Sequence, residues 1–155
     1  MFKHSLNKLR ITLGAAVRDL NYNVLYNWLL HLKSKPIEVN KKSAIVFSPH
    51  QDDETIGCGG MIALKRSQEI PVKVVFLTDG RYGTPDWSKP ENTVQFRQEE
   101  ANTALNILGI EPSQTQFLDE TDGSLSQLTE PQQNLLIAKL VEILQSFEPQ
   151  EVYVP

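Results

Sequence analysis

Beyond residue 42 the chain alternates short apolar runs with helical periods. Ala44-Ile45-Val46-Phe47-Ser48 reads as a strand, Glu54–Glu69 as a helix and Val72–Thr78 as a second strand. These runs are almost continuously apolar instead of alternating, which is the pattern of parallel strands buried on both faces. Strand, helix and strand at this spacing form a βαβ unit. Asn92 with Gln95 three residues later marks a helix start, and Gly109 followed by Pro112 marks its stop. Val94, Ala101, Ala104, Leu105 and Leu108 make that helix's apolar stripe. Thr115–Leu118 is a short third strand. Thr129 with Gln132 is a capping box, Pro131 sits in the permitted first turn, and Leu136, Ile137, Leu140, Val141 and Leu144 carry a helix to Phe147. Glu151–Pro155 begin a fourth strand. The expected fold class is therefore α/β, a Rossmann-like three-layer domain with a mainly parallel sheet.

Residues 1–42 follow a different pattern and are expected to form a separate helical arm, with the α/β domain occupying 43–155. Leu6, Leu9, Leu13, Ala16, Val17 and Leu20 recur at three- and four-residue steps among Lys3, Lys8, Arg10 and Arg18. A second apolar cluster runs from Val24 to Leu32 and includes Tyr26 and Trp28. Two readings stand: a helix that packs on the domain and covers a sheet face, or an interfacial helix on anionic lipid with Trp28 and Tyr26 at the head-group level. No run reaches the ~18 uncharged apolar residues of a membrane span. Arg18 and Asp19 stand where a cleaved signal would need small residues. His4 and His31 have no second ligand at metal spacing.

Charge sharpens this division. Residues 1–42 hold eight Lys/Arg against Asp19 and Glu38, giving +6, while the remainder holds seven against seventeen acids, giving −10. An acidic body argues against nucleic acid as a partner, because a phosphate backbone needs a basic surface. The single cysteine, Cys58, excludes an internal disulfide and fits a reducing, cytoplasmic setting, with peripheral membrane attachment through the arm as the variant of that reading.

The candidate chemistry is concentrated where the first strand hands over to the first helix. Pro49-His50-Gln51-Asp52-Asp53-Glu54 is followed by Gly57-Cys58-Gly59-Gly60. Three adjacent carboxylates repel one another and desolvate badly, so a cation is expected among them, and a divalent metal is the simplest candidate. The bland alternative is a helix cap, with Asp53 or Thr55 capping and the other acids solvated. In open α/β sheets ligands bind beyond the carboxyl ends of the strands, so the loops bearing Asp52, Asp79 and Asp122 should converge there. Arg97 shares the apolar stripe of its helix and must find a partner. That partner is either an acid, such as Glu100 or one in a neighbouring loop, or a polar ligand at the sheet's edge.

If the backbone turns into the helix at this point, one imidazole nitrogen of His50 and the carboxylate of Asp53 can share a metal while Asp52 projects beside it. A mixed nitrogen and oxygen set favours Zn2+ or a similar first-row ion over magnesium or calcium. A catalytic zinc keeps an open position for water, whose pKa falls to roughly 7, and a carboxylate beside that water can act as general base. The resulting reaction is amide hydrolysis.

The stretch from Pro49 to Gly60 resembles the signature of the PIG-L/LmbE-like family of zinc-dependent N-acetylglucosaminyl deacetylases. Leu77-Thr78-Asp79-Gly80, the Arg97 helix with Glu100, Leu108-Gly109-Ile110 and Asp122-Gly123 are similar to further landmarks of that family in its order. The resemblance spans Ser43 to Pro155 and implies zinc on His50 and Asp53, Asp52 as general base, and Arg97 and Asp122 on the hydroxyls of an N-acetylated sugar conjugate. Gln51 stands where the family most often has proline. The family's third zinc ligand is a histidine beyond the strand begun by Val152–Val154, so the chain is expected to be truncated at its C-terminus, to bind zinc weakly by itself and to leave an open sheet edge available for homo-oligomer contacts. Two other classes compete: a magnesium-dependent phosphohydrolase using Asp52 and Asp53, and a non-catalytic sugar-binding module.

Overall fold

The computed structural model describes residues 20–33, 35, 39–83 and 90–155. The expected helical positions from Leu6 to Val17, His4 and the loop residues 84–89 lie outside the described residues. The chain divides into two compact units, Met1–Glu38 and Val39–Pro155.

In the first unit, residues 20–28 are α-helical and Leu29–Lys33 widen into a π turn. Asn27 donates its side-chain amide to the carbonyl of Asn23 at 2.8 Å. The rings of Tyr22 and Tyr26 stack with centroids 6.0 Å apart.

The second unit is a four-stranded parallel sheet in the order β3-β2-β1-β4, where β1 is Ala44–Ser48, β2 is Val72–Thr78, β3 is Thr115–Glu120 and β4 is Glu151–Tyr153. Three helices connect them: α1 (Asp53–Arg66), α2 (Pro90–Ile107) and α3 (Glu130–Phe147). The alternation of side chains along each strand sorts the core into two layers. Ala44, Val46, Val72, Val74 and Phe76 pack with Cys58 and Ile62 of α1 and Ala101 and Leu105 of α2. Ile45, Phe47, Val75 and Leu77 face Leu140, Ile143 and Leu144 of α3 on the other side. Both faces are thus covered, which is why β1 is buried at every position. The fold is the expected three-layer α/β domain.

Element ends differ from the sequence reading in several places, α1 starting at Asp53 instead of Glu54 and β4 covering only Glu151–Tyr153. Helix α1 stops at Arg66 instead of Glu69, because Glu69 turns left-handed at φ 60° and Ile70 N–H closes onto the carbonyl of Lys65 at 3.0 Å, a turn that also precedes Pro71. Helix α2 begins at Pro90, two residues before Asn92, since proline in the first turn sacrifices no intrahelical hydrogen bond. Strand β3 continues to Glu120 past an irregularity that brings Thr78 opposite Glu120. The expected box at Thr129 and Gln132 is present, with Thr129 N–H donating to Gln132 Oε1 at 2.9 Å.

Winding from β1 to β3 proceeds outward on one side, and the crossover through α3 then returns the chain to the far side of β1. The direction of winding therefore reverses between β1 and β4, the place where such sheets open a crevice at their carboxyl ends. His50 and Asp52 follow β1 immediately. Close packing secures this flank: a Cβ on Gly57 would lie 2.5 Å from Pro155 Cβ, so α1 can rest on the chain leaving β4 only because residue 57 has no side chain.

Lys65 fixes the opposite end of the same strands. Its buried ammonium donates to Asn40 Oδ1 at 3.0 Å and to the Lys42 carbonyl at 2.8 Å, and pairs with Glu151 Oε2 at 2.9 Å, satisfying all three of its protons. The hydrogen bonds from Lys65 and Asn40 lower the Glu151 carboxyl from 4.5 to about 2. A carboxyl depressed in the folded state stabilises the fold above its unfolded value, and that contribution is lost as pH falls through the folded value. Thermal melting should show wild type more stable than Glu151→Gln near neutral pH, with the gap closing between pH 4.5 and about 2; a gap that is constant across this range would exclude the linkage.

Candidate active site

The turn after β1 is stitched onto the end of β2. The Pro49 carbonyl accepts both the backbone N–H of Thr78 at 3.1 Å and its hydroxyl at 2.7 Å. Gln51 reaches back with Nε2 to donate to the Thr78 carbonyl at 2.8 Å, and is itself 2% exposed. Gly80 beside it has φ +62°, and a Cβ there would lie 2.1 Å from Gln51 Oε1. A proline at position 51 would lack this tether, so in this chain the side chain of Gln51 restores by hydrogen bonding some of the rigidity a ring would supply.

Asp52 then takes φ 147°, a conformation costly for any residue with a Cβ. Neighbours hold it there. Its N–H donates to Glu54 Oε2 at 2.9 Å, while Arg97 Nη2 donates to Asp52 Oδ2 at 2.9 Å and also to the Gln51 carbonyl. Helix α1 starts at Asp53, with the N–H groups of Thr55 and Ile56 on the Asp52 carbonyl at 3.1 and 2.9 Å.

The three adjacent acids separate into three environments. Asp52 pairs with Arg97. Glu54 is fully buried, accepting from the Asp52 N–H and from the Thr55 hydroxyl at 2.7 Å. Asp53 Oδ2 lies 3.1 Å from His50 Nδ1 and accepts the His50 N–H at 3.2 Å. The repulsion expected from the sequence is thus answered by a guanidinium, by hydrogen-bond donors and by an imidazole.

The loops converge as expected. Asp122 Oδ1, from the loop after β3, lies 3.0 Å from His50 Nε2, so the imidazole is held between two carboxylates. Burial works to lower the His50 pKa, but the hydrogen bonds and charges of Asp53 and Asp122 outweigh it and raise it above 6.5. Asp79, buried at the end of β2, accepts the Asp122 N–H at 3.2 Å and binds Arg81 through Nε at 2.8 Å and Nη2 at 2.5 Å. Burial pushes the Asp79 carboxyl up; the Arg81 guanidinium and the backbone amides of Arg81 and Asp122 more than reverse this, so its pKa is lowered. Asp79 is a brace for the Asp122 loop, a role that its position after a strand does not reveal.

Arg97 resolves the choice posed by its place on an apolar stripe. Besides Asp52 it reaches Glu100 Oε2 through Nη1 at 3.1 Å, so both acidic partners are used at once. Burial opposes the charge, but Asp52 and Glu100 hold the guanidinium more firmly protonated than usual. Among the described residues only Oδ2 of Asp52 is engaged by a side chain, and its carboxylate remains half exposed. Beside it a groove of about 600 Å³ runs between α1 and α2, with Ile56, Phe96, Ala104 and Ile107 on its walls.

His50 Nδ1 and Asp53 Oδ2 have the spacing of two ligands on one ion. Bonds of ~2.0–2.1 Å at tetrahedral angles separate neighbouring ligand atoms by about 3.3 Å, close to the observed 3.1 Å. The contact from the other imidazole nitrogen to Asp122 is the arrangement that fixes the orientation of a metal-bound histidine. Among the described residues no group of three His, Cys, Asp or Glu is placed to hold an ion.

Residues 45–155 match the PIG-L family, described as GlcNAc-PI de-N-acetylase. The chain belongs to this family. One relative, a probable N-acetyl-alpha-D-glucosaminyl L-malate deacetylase 2 of Bacillus anthracis, is 29% identical over 109 residues, covering 68% of this chain and 47% of that protein. The N,N'-diacetylchitobiose deacetylase of Pyrococcus horikoshii superimposes with a TM-score of 0.65 at 25% identity over 86% of this chain and 49% of its own. GalB, a 4-carboxy-2-hydroxymuconate hydratase of Pseudomonas putida, superimposes with a TM-score of 0.58 at 29% identity over 72% of this chain and 45% of its own. The chain spans about half the length of these relatives. The same architecture thus carries both deacetylases and a hydratase, and the reaction has to be argued from the site.

Gly80→Ala should disturb the site through Gln51. The added methyl meets Gln51 Oε1 and requires a left-handed alanine, so a loss of about 2–3 kcal/mol is expected by denaturant unfolding. In the background of Gln51→Ala the same substitution should cost about 1–2 kcal/mol, the backbone part alone; equal costs in the two backgrounds would mean that the contact is not limiting.

Proposed function

We propose that the chain supplies the metal-binding and proton-transfer half of a zinc-dependent deacetylase, which hydrolyses the N-acetyl group of an N-acetylglucosamine-type sugar conjugate. The observation that carries this reading is the His50–Asp53 pair at 3.1 Å with Asp52 fixed next to it by Arg97. Its support from relatives is the PIG-L match together with the deacetylases among them.

His50 and Asp53 would hold the ion, which when bound supplies Lewis acidity to water and to the amide carbonyl. Every other contribution comes from side chains. Amide hydrolysis adds the oxygen of water to the acetyl carbon, breaks the carbon–nitrogen bond and needs one proton moved from that water to the departing nitrogen. Asp52 is the group for both transfers. Its carboxylate is exposed, and Arg97 on Oδ2 steadies it in orientation for accepting a proton. The bond from its N–H to Glu54 and that from Arg97 to the Gln51 carbonyl keep the turn from relaxing, so the base is held beside the proposed ligand pair without relying on substrate. Asp122 orients the imidazole, and with Arg97 it is proposed to meet the hydroxyls of the sugar. The products are acetate and a free amine.

The hydratase among the structural neighbours uses water on a different substrate, so amine release is the discriminating measurement. Wild type, His50→Ala, Asp53→Ala and Asp52→Asn should be compared for zinc affinity by competition with a chromogenic chelator, and for amine release from an N-acetylglucosaminyl conjugate. His50→Ala and Asp53→Ala should weaken zinc at least about tenfold. Asp52→Asn should retain zinc and lower amine release by roughly 10²–10⁴-fold. Magnesium-stimulated phosphate release would replace this reading with the phosphohydrolase, and sugar binding with no amine release in any condition would replace it with a binding module.

A further inference from the structure

The second candidate surface lies in the other unit and is independent of the chemistry above. In the helical segment 20–33, apolar side chains are exposed around most of the circumference: Leu25, Leu29, Trp28 and Leu32 lie on one broad side, Tyr22 and Tyr26 adjoin it, and Leu32 is 73% exposed. The polar positions are a stripe of Asn23, Asn27 and His31 at four-residue steps, with Asn21 one turn before Leu25 and Lys33 at the end of the segment. Exposed together, these side chains form an apolar surface large enough to call for a covering medium or partner.

Three observations define the medium. The segment contains no acid between Asp19 and Glu38, while Lys3, Lys8, Arg10 and Arg18 precede it and Lys33, Lys35, Lys41 and Lys42 follow it, so the apolar block is bracketed by positive charge. Its large aromatic side chains are Tyr22, Tyr26 and Trp28, with Lys33 Nζ 5.4 Å from the Trp28 ring centre. Tyrosine and tryptophan with lysine are the side chains that settle where hydrocarbon meets charged head groups. Finally, no helix among the described residues is long and apolar enough to cross a membrane. An apolar helical segment with aromatic side chains and basic flanks is suited to the surface plane.

We propose that residues 20–33 dock on an anionic lipid surface, with Trp28, Leu25, Leu29 and Leu32 in the acyl boundary and the flanking lysines and arginines on the head groups. The partner is fixed by complementarity: a +6 arm needs negative charge over an area, and an exposed apolar helix needs a hydrocarbon edge. The −10 body remains repelled from the same surface, so attachment is expected to run through the arm.

The test uses the full chain with extruded vesicles of phosphatidylcholine alone or with a quarter of phosphatidylglycerol, read by co-sedimentation. The Trp87→Phe background makes Trp28 the only tryptophan, so its emission reports on the arm. Partitioning should be about tenfold or more stronger on the anionic vesicles, weaken with added salt and be accompanied by a blue shift. Tyr22→Ser/Leu25→Ser/Leu29→Ser should reduce binding at least fivefold, and Lys33→Glu/Lys35→Glu should reduce it on anionic vesicles alone. Circular dichroism and melting of these variants check that the α/β domain is intact. Absence of vesicle binding overturns the proposal, whether the protein proves monomeric with Trp28 already blue-shifted, meaning that the helix packs on its own domain, or dimeric by sedimentation, meaning that a second copy covers it. Equal binding to both vesicle types also overturns it.

Discussion

The site depends on one constraint, the attachment of the turn after β1 to the last residue of β2. Parallel pairing brings the carboxyl ends of the two strands side by side but does not shape the turns that leave them. Thr78 does this with three hydrogen bonds: N–H and hydroxyl to the Pro49 carbonyl, and its own carbonyl to Gln51. With residues 49 and 51 fixed, residue 50 projects its imidazole toward the β3 loop and residue 52 is forced into its costly backbone angle. The geometry of His50 and Asp52 is therefore inherited from the sheet, the most rigid part of the molecule, and not from a mobile loop.

Electrostatics completes what that constraint begins. An acidic body could hardly tolerate Asp52, Asp53 and Glu54 in one environment, and it does not have to. Arg97 comes from α2, His50 from the turn, and the Thr55 hydroxyl with the Asp52 amide from the start of α1. Each acid meets a different donor, so adjacent carboxylates can serve different ends: one buried as a cap for its own turn, one joined to histidine, one half exposed. The division of labour follows from backbone direction, since consecutive residues at a helix start point to different sides.

Much of this was legible in the residues. Continuous apolar runs announced a parallel sheet because burial on both faces leaves no polar alternation, and the loops bearing Asp52, Asp79 and Asp122 were expected at one edge because a parallel sheet puts all its carboxyl ends there. The need of Arg97 for a partner was also legible, as a charge on an apolar stripe. Glu100, three residues on in the same helix, was among the expected partners and is one; Asp52 was not singled out, because that contact depends on where α2 lies relative to a turn 45 residues away in sequence. Gln51 stood out in the sequence only as a departure from proline, whereas its side chain tethers the turn; only the position of the Thr78 carbonyl reveals that. Asp79 and Glu54 read simply as acids of the strand-end loops; the bracing role of Asp79 emerges only when the Asp122 amide arrives on it from another loop, and that of Glu54 only when the turn folds the Asp52 amide back onto it. In the arm, the apolar block was plain, but the breadth of its exposed arc becomes visible only on the helix itself.

The clamp at Lys65 has a consequence for chemical accessibility. Its amine is almost wholly enclosed and spends its three protons on Asn40, Lys42 and Glu151, which come from opposite ends of the domain's sequence. A reagent that acylates free amines would modify the exposed lysines first, and would reach Lys65 only when β4 parts from β1 and from the segment before it. The rate of labelling at this one position is thus a clock for the opening of the sheet's β4 edge, readable residue by residue while the rest of the domain stays folded.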